Sequence, residues 1–263
     1  MGVLNLTPDS FSDGGRLMTG GRVDVERVIA AAHGMIDEGA AIVDVGGEST
    51  RPGALPVAVE DECSRVIPVI ERLCELDTIV SVDTSKPEVA RLALRAGCHL
   101  VNDVTGLQDR EMRQVVADAQ AAACIMHMQG EPRSMQNDPA YADVVAEVRT
   151  FLEERVSDCD EAGIDRKRLL LDPGIGFGKR LEHNLALLRN LDALRVAGLP
   201  VLVGISRKSM LGALTEREVT HRDAASAVAA ALAVEHGASV VRAHDVAMTA
   251  DALKLVTAWH ATG

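Results

Sequence analysis

Eight short runs of β-forming apolar residues recur along the chain, and a stretch rich in Ala, Leu, Glu and Arg follows each of them. The runs are GVLN, AAIVDVGGEST, TIVSVDT, HLVNDV, ACIMHM, LLLDPG, VLVGISRK and VVRAHDV. Continuous Val, Ile and Leu runs joined by helices are typical of parallel strands covered on both faces. Eight such units in about 260 residues predict an α/β fold, a closed (β/α)8 TIM barrel that forms a single domain over residues 1–263. An open, doubly wound sheet is the alternative.

The helical stretches carry signals at their ends. VERVIAAAHGMIDEGA and HNLALLRNLDALRVAG each run to a glycine suited to a helix C-cap. In SKPEVARLALRAG, Ser85 and Glu88 have the spacing of a capping box, and Gly97 is the expected stop. The chain begins almost at the first run, and if the true start lies upstream, the first strand would be short of pairing partners.

Composition limits the class of protein. The residues are 47% hydrophobic and 25% charged, the balance of a soluble globular protein, and the net charge of -12 argues against nucleic acid or an anionic membrane as a partner. An anionic ligand therefore needs a local cationic site. No apolar run is long enough to span a membrane, and no secretory signal precedes the first run. The five cysteines form no CxxC pair, so we expect reduced thiols in a cytoplasmic protein.

Polar side chains stand near the end of nearly every predicted strand. In a (β/α)8 barrel the active site lies at the C-terminal ends of the strands. The residues found there are Asn5, Asp44, Asp83, Asn102, His127, Asp172, Lys208, Arg242 and His244. Any one of them alone could be a structural cap or a satisfied core residue, but the whole ring indicates a functional rim.

Three of these residues suit a flat nitrogen heterocycle. Asp83, Asn102 and Asp172 offer short acceptors and an amide, and a carboxylate facing an amino group and a ring N–H makes a bidentate pair. Such a pair would satisfy Asp172, which follows three leucines and would otherwise be a costly buried charge. Lys208 adds one cation deeper in the site.

The last strand carries a candidate anion site. Arg242 and His244 alternate along it, so both side chains point the same way, and a helix follows. A cationic pair beside a helix N-terminus suits a phosphate-like group. A satisfied core histidine is the alternative interpretation of His244.

Two loops look like lids. NLTPDSFSDGGR and GGESTRPGA, after the first and second strands, are rich in Gly, Ser, Pro and charge. Phe11 and Phe177 also lie in glycine-rich loops rather than in apolar runs. In a chain so poor in aromatic residues, this suggests stacking on a planar ligand, with packing beneath a loop as the alternative.

Together these motifs resemble those of the dihydropteroate synthases of the bacterial folate pathway. The matching segments are GVLNLTPDSFSDGG, VDVGGESTRPGA, SVDTSKPEVA, NDVTG, MHMQGEP, LLLDPGIGFGK, GISRKSMLG and VRAHDV. The resemblance runs from Gly2 to the last helix. It implies an enzyme, a transferase that joins 6-hydroxymethyl-7,8-dihydropterin pyrophosphate to 4-aminobenzoate, with Mg²⁺ as cofactor and a homodimer formed through the last helices.

The resemblance also implies residue roles. The pterin pocket would be lined by Asp83, Asn102, Asp172 and Lys208, with Met126, Phe177 and Gly204 as walls. The pyrophosphate would be held by Arg242, His244 and, through Mg²⁺, Asn5. The aminobenzoate site would consist of Thr50, Arg51, Pro52, Phe177, Lys208 and Ser209. The residues expected to act in catalysis are Asp13, Arg51, Lys208, Arg242 and His244, of which Asp13 and Arg51 would help to order the closed loops.

The implied reaction needs no protein nucleophile, because pyrophosphate departs first and the arylamine then attacks. The sequence agrees, since GISRKS is not a G-x-S-x-G elbow and H-E-x-x-H is absent. Two alternatives remain. A methyltetrahydrofolate-binding methyltransferase domain would not need the Arg242 and His244 clamp, and a silent paralogue should have lost Asp13, Arg51 or His244.

Overall fold

The computed structural model describes residues 1–7, 17–19, 21–50, 53–132 and 134–261. Eight parallel strands form its central sheet, and each coincides with one of the predicted runs. They are Gly2–Asn5, Ile42–Gly46, Ile79–Asp83, Leu100–Asp103, Ala122–Met126, Leu169–Asp172, Val201–Gly204 and Ala238–Arg242. A short antiparallel pair, Met18–Thr19 with Arg22–Val23, precedes the first helix.

Helices connect the strands on the outside. In the described part of the chain they are α1 (Val25–Asp37), α2 (Val59–Leu73), α3 (Pro87–Arg95), α4 (Arg110–Ala119), α5 (Val144–Glu161), α6 (Leu181–Arg189), α7 (Ser209–Thr215), α8 (Asp223–Glu235) and α9 (Val246–Ala261). One helix follows each of the first six strands, and the seventh strand is followed by both α7 and α8. No helix within the described ranges is long and apolar enough to cross a membrane.

The sheet closes on itself. Each strand pairs with its sequence neighbour in parallel, from first to eighth. The eighth strand returns to the first through a bridge between Gly2 and Ala243, with hydrogen bonds of 2.9 Å from Ala243 N to Met1 O and from Met1 N to Val241 O. The predicted (β/α)8 barrel is therefore confirmed and the open sheet is excluded. The first strand, expected to be at risk of missing partners, is paired on both edges.

The barrel is packed with aliphatic side chains. The largest fully buried ones that the structure describes are Leu4, Leu6, Ile70, Leu73, Leu107, Met112, Ile125, Leu152, Leu169, Leu171, Ile175 and Leu187. None is aromatic, as the composition requires. At about 25 cal/mol per Å² of buried apolar surface, this core supplies the main favourable term in folding.

Two predicted helix ends are wrong. The capping box of Ser85 and Glu88 does not form, because α3 begins at Pro87 with Lys86 as its N-cap and without a side-chain cap. Pro87 has a fixed φ and no N–H, so the first helical position suits it. The stretch after the sixth strand is also not one helix, because α6 ends at Arg189 and two 3₁₀ turns, Leu191–Leu194 and Val196–Gly198, follow.

Candidate active site

The strand pairing places the predicted site residues side by side at one end of the barrel. Asn5 is in register with Gly46, Gly46 with Asp83, and Asp83 with Asn102. Gly46 has no side chain, and a Cβ there would lie 3.5 Å from Asp83 Cβ and 3.8 Å from Asn5 Oδ1. The glycine therefore leaves a gap between the two polar side chains. The other register pairs are Met126 with Asp172 and Gly204 with Arg242.

A cavity of about 510 Å³ opens at this end of the barrel. The predicted residues on its wall are Asn5, Thr50, Asp83, Phe177, Lys208, Ser209, Arg242 and His244. Four others, at the same strand ends, are buried: Asn102, Met126, Asp172 and Gly204. Asp13, Arg51, Pro52 and Phe11 lie outside the described residues, so their roles stay predictions.

A buried ionic cluster holds Arg242 in place. Its Nε donates to Asp44 Oδ2 at 2.6 Å and its Nη2 donates to Asp83 Oδ2 at 2.9 Å. Asn102 Nδ2 donates to the same Asp44 oxygen at 3.2 Å. Asp44 is fully buried, and its Oδ1 has no partner among the described side chains and backbone. The ring of strand-end residues in the sequence included Asp44, but only the structure shows that it supports both Asn102 and Arg242.

The environment makes Asp83 a weak acid. Burial raises the pKa of Asp83 to about 7, Arg242 opposes the rise, and the charge of Asp44 adds to it. The carboxyl group of Asp83 can therefore exchange a proton close to neutral pH. The guanidinium of Arg242 stays charged, because the two carboxylates raise its pKa by more than burial lowers it.

Asp172 and Lys208 are a second pair of opposite charges at this end of the barrel. Asp172 Oδ1 accepts a hydrogen bond from Gly174 N at 2.7 Å. Burial raises the pKa of Asp172, and the ammonium of Lys208 opposes the rise. Lys208 Nζ donates to Ile175 O and lies 4.4 Å from the centre of the Phe177 ring. Burial lowers the pKa of Lys208 to about 8, against the opposing charge of Asp172. Asp172 thus has a backbone donor and a nearby cation, and a heterocyclic partner stays a prediction.

A buried lysine organises the loop that carries Phe177. Lys179 is 3% exposed, and its Nζ donates to Gly174 O and Phe177 O at 3.0 Å each and lies 2.9 Å from His127 Nδ1. Burial and Lys179 lower the pKa of His127 to about 3, so the imidazole is neutral and can accept a hydrogen bond from Lys179 Nζ. Gly174 has a φ of 67°, and a Cβ there would lie 1.8 Å from His127 O. The run of glycines hinted at a tight loop, but nothing in the sequence singled out Lys179.

His244 faces the cavity and is not a core histidine. Its Nδ1 lies 3.0 Å from Ser206 Oγ, and its backbone N–H donates to the same oxygen at 3.1 Å. Ser206, which the sequence did not single out, therefore fixes the ring. α9 begins two residues after His244, which keeps the helix N-terminus close to the imidazole.

The turn before Ser209 is held in an unusual conformation. Arg207 has a φ of 58°, a region that non-glycine residues seldom adopt. Two hydrogen bonds to Asp223, at 2.6 and 3.0 Å, and one from Arg207 N to Ser226 Oγ at 3.0 Å support it. This turn presents Lys208 and then Ser209, the first residue of α7, to the cavity.

Comparison with known proteins agrees with this geometry. The family model described as pterin binding enzyme matches residues 1–244. The dihydropteroate synthase of Escherichia coli K12 is 46% identical over 259 residues, which are 98% of this chain and 90% of that protein.

Two solved structures are also similar. The Xanthomonas albilineans dihydropteroate synthase with 4-aminobenzoic acid has a TM-score of 0.89 at 48% identity and covers 100% of this chain and 92% of its own. The Burkholderia cenocepacia enzyme complexed with 7,8-dihydropteroate has a TM-score of 0.89 at 44% identity, and the match covers 100% of this chain and 91% of that one. The chain therefore belongs to the pterin-binding enzyme family, among the dihydropteroate synthases.

Proposed function

We propose that this chain condenses 6-hydroxymethyl-7,8-dihydropterin pyrophosphate with 4-aminobenzoate, giving 7,8-dihydropteroate and pyrophosphate for folate biosynthesis. The observation that carries the proposal is one cavity whose wall bears the buried acid Asp83 together with Lys208, Arg242 and His244. The ligands named for the Xanthomonas and Burkholderia enzymes, an aminobenzoate and a dihydropteroate, fit the same cavity chemistry.

The pterin ring would bind at the base of the cavity. Asp172 would accept from the amino group and ring N–H, while Asn102 and Asp83 face the rest of the polar edge. Because these side chains are buried, leaving any of them without a hydrogen-bond partner would be costly. A heterocycle with the wrong pattern of donors and acceptors would therefore bind weakly. Phe177, with Lys208 over its ring, would cover the flat face.

The diphosphate would lie toward His244, Arg242 and the start of α9. The charge of Arg242 is already balanced by Asp44 and Asp83, so it cannot alone offset a diphosphate. This imbalance supports a role for Mg²⁺.

The residues present fit such an ion. Mg²⁺ usually takes few protein ligands and completes its shell with phosphate oxygens and water. The Asn5 side chain reaches the cavity and offers one amide oxygen, and no group of three or more His, Cys, Asp or Glu suited to a metal occurs in the part of the chain described. Asn5 would therefore hold an ion shared with the substrate, and the bound ion would neutralise part of the leaving-group charge.

The aminobenzoate would bind nearer the mouth. Thr50, Phe177, Lys208 and Ser209, which are expected to bind it, all line the cavity. The first turn of α7 offers Ser209 and backbone N–H groups to a carboxylate. Arg51, Pro52 and Asp13 would complete and close the site.

In the proposed mechanism the bond from the pterin methylene to pyrophosphate breaks before the arylamine nitrogen attacks. The protein then has three tasks: to bind the leaving group, to stabilise positive charge on the pterin, and to keep water out until the amine arrives. The carboxylates of Asp83 and Asp172 suit the second task. The loops after the first and second strands would perform the third.

Activity should fall at high pH because Lys208 loses its positive charge when it is deprotonated. Since its pKa is lowered to about 8, kcat/KM for the pterin substrate should decline as the pH rises through 8. A pH profile from 6 to 10 measures this. Lys208→Arg, which stays charged, should move the decline to higher pH, and an unchanged decline in that variant would assign it to another group.

The proposed reaction is tested by pyrophosphate release with both substrates and Mg²⁺. We expect pyrophosphate to be released and dihydropteroate to form only when 4-aminobenzoate is present. Addition of EDTA should stop the release. Pterin binding without release would support the silent paralogue. Methyl transfer from methyltetrahydrofolate would support the methyltransferase domain. Release that continues in EDTA would refute only the role of Mg²⁺ and leave the proposed reaction standing.

We also propose a homodimer that acts in the cytoplasm. All five cysteines are free thiols, which suits a reducing compartment. α8 and α9 pack together, and both expose large apolar side chains: Val228 and Leu232 are 61% and 56% exposed, and Leu255 and Trp259 are 70% and 75% exposed. A second copy of the chain would cover them.

The dimer should separate when this surface becomes charged. The double change Val228→Glu and Leu232→Glu should halve the molar mass measured by light scattering after size-exclusion chromatography. Leu92→Glu on α3, also an exposed leucine, should leave the mass unchanged. A wild-type chain with the mass of one copy at micromolar concentration would contradict the dimer.

A further inference from the structure

A cluster of three charged side chains lies beside the cavity and has no role in the reaction described above. Lys86, the N-cap of α3, donates from Nζ to Glu48 Oε2 at 2.6 Å and also to Glu62 Oε2. Glu48 follows the second strand and lines the cavity, whereas Glu62 lies in the first turn of α2. The cluster therefore joins the second and third βα units at the rim.

Glu48 stands at the base of the loop that bears Thr50. Its other oxygen, Oε1, accepts from Val57 N at 2.7 Å, which ties the start of the loop to its end. Arg65 Nη1 donates to Gly47 O at 2.8 Å on the same segment. The loop is thus fastened at residues 47–48 and at residue 57, and the segment between these points is the one expected to bind the aminobenzoate.

The backbone at Gly47 packs closely against side chains of α2. A Cβ at Gly47 would lie 2.7 Å from Val66 Cγ1 and 2.9 Å from Glu62 Cγ. Glu62 therefore supports the loop in two ways: its side-chain carbons pack against Gly47, and its carboxylate shares Lys86 with Glu48.

Lys86 is the counterion of a buried carboxylate. Glu62 is fully buried, and its Oε1 has no hydrogen-bond partner among the described residues. A buried carboxylate needs a counterion, and Lys86 is the cation that contacts it. Burial alone would lower the pKa of Lys86, but its hydrogen bonds to Glu48 and Glu62 raise it overall, so the ammonium persists.

We propose that Lys86 is a positioning residue for the aminobenzoate subsite, acting through Glu48 to set the base of the second βα loop. This inference rests on the proposed function, which places the aminobenzoate at that loop. Lys86 does not line the cavity, so it acts on the second substrate without contacting it.

The first test compares the two Michaelis constants. In Lys86→Met, KM for 4-aminobenzoate should rise about tenfold, because a displaced loop loses binding geometry, while KM for the pterin substrate stays within about twofold. Lys86→Arg, which can still bridge both carboxylates, should restore most of the affinity. Equal rises in both constants, or no rise in either, would overturn the inference.

A second variant separates positioning from folding. Lys86→Met leaves Glu62 as an unpaired buried charge and should lower Tm. Adding Glu62→Gln removes that charge, so Tm should recover, yet Glu48 still lacks its lysine and KM for 4-aminobenzoate should stay high. Recovery of both together would mean that Lys86 only stabilises the fold. The control is Arg91→Met in α3, which breaks an exposed pair with Glu111 of α4 and should change neither Tm nor KM.

Hydrogen exchange gives a measure that does not depend on turnover. The Val57 amide is bonded to Glu48, so a peptide covering residues 47–58 should exchange faster in Lys86→Met, with or without Glu62→Gln, and normally in Lys86→Arg. If the wild-type enzyme releases no pyrophosphate, the proposed function fails while this experiment still reports on the loop. Unchanged exchange in Lys86→Met would refute the positioning role by itself.

Discussion

Replacing Lys208 with alanine should reduce kcat/KM by at least about a hundredfold, the loss seen when one preorganised donor is removed from an active site. Lys208 bonds Ile175 O, covers the Phe177 ring and lies beside Asp172. One substitution therefore disturbs the pterin wall and the Phe177 loop together. Tm should also fall, because the buried Asp172 loses its nearby cation and Ile175 O loses its donor.

Asp172→Ala should have an effect of similar size for a different reason. It removes the expected partner of the pterin amino group and leaves Gly174 N without its acceptor. Asp172→Asn keeps the shape and an acceptor, so Gly174 N can remain bonded, but it brings an N–H toward the pterin donors. Activity should therefore be lost in both variants, while pterin binding is weakest in Asp172→Ala.

Rescue of a strain that lacks its own dihydropteroate synthase gives the simplest measurement. The wild-type chain should restore growth without supplied folate products, and neither Lys208→Ala nor Asp172→Ala should do so. Lys254→Ala, which removes an exposed lysine on α9, is the matched control and should grow normally. Growth of the two site variants at the wild-type rate would remove the basis for the assigned pocket.

The sequence predicted the parts of the fold that depend on local periodicity. All eight strands were recognised because a parallel strand buried on both faces has to be a continuous apolar run. The polar ring was found for a related reason, since a charge directly after such a run lies at the strand end. The start of α3 and the end of α6 were missed because helix ends depend on the surrounding structure. Lys86 stands at the N-cap position of α3 without a side-chain cap, and its ammonium bonds Glu48 and Glu62 instead.

Residues that act through another residue could not be assigned from the sequence. Asp44, Lys179 and Ser206 each hold a group that faces the cavity, over sequence separations of 198 residues for Asp44 with Arg242 and 38 for Ser206 with His244. Only strand register and barrel closure bring such pairs together. A strand-end position showed that Asp44 was near the site, but not that it serves Arg242.

A large effect on stability is expected at Asp44. Asp44→Ala deprives Arg242 Nε and Asn102 Nδ2 of their shared acceptor and leaves the guanidinium with Asp83 alone. Breaking one side of a buried ion pair costs about 3–5 kcal/mol, which for a chain of this size lowers Tm by on the order of 10 °C. Asp44→Asn keeps an acceptor oxygen, so its Tm should fall less than that of Asp44→Ala. Thermal unfolding of the three proteins measures the difference.

The activity of these variants shows whether Asp44 serves the site or only the fold. Because Asp44 orients both Asn102 and Arg242, kcat/KM for the pterin substrate should fall in Asp44→Asn even at temperatures where the variant is fully folded. Asp251→Ala breaks an exposed pair with Lys254. It should lower the free energy of unfolding by less than about 1 kcal/mol and keep full activity. If Asp44→Asn also kept full activity, Arg242 would be held well enough by Asp83 alone, and the buried pair with Asp44 would matter to stability but not to catalysis.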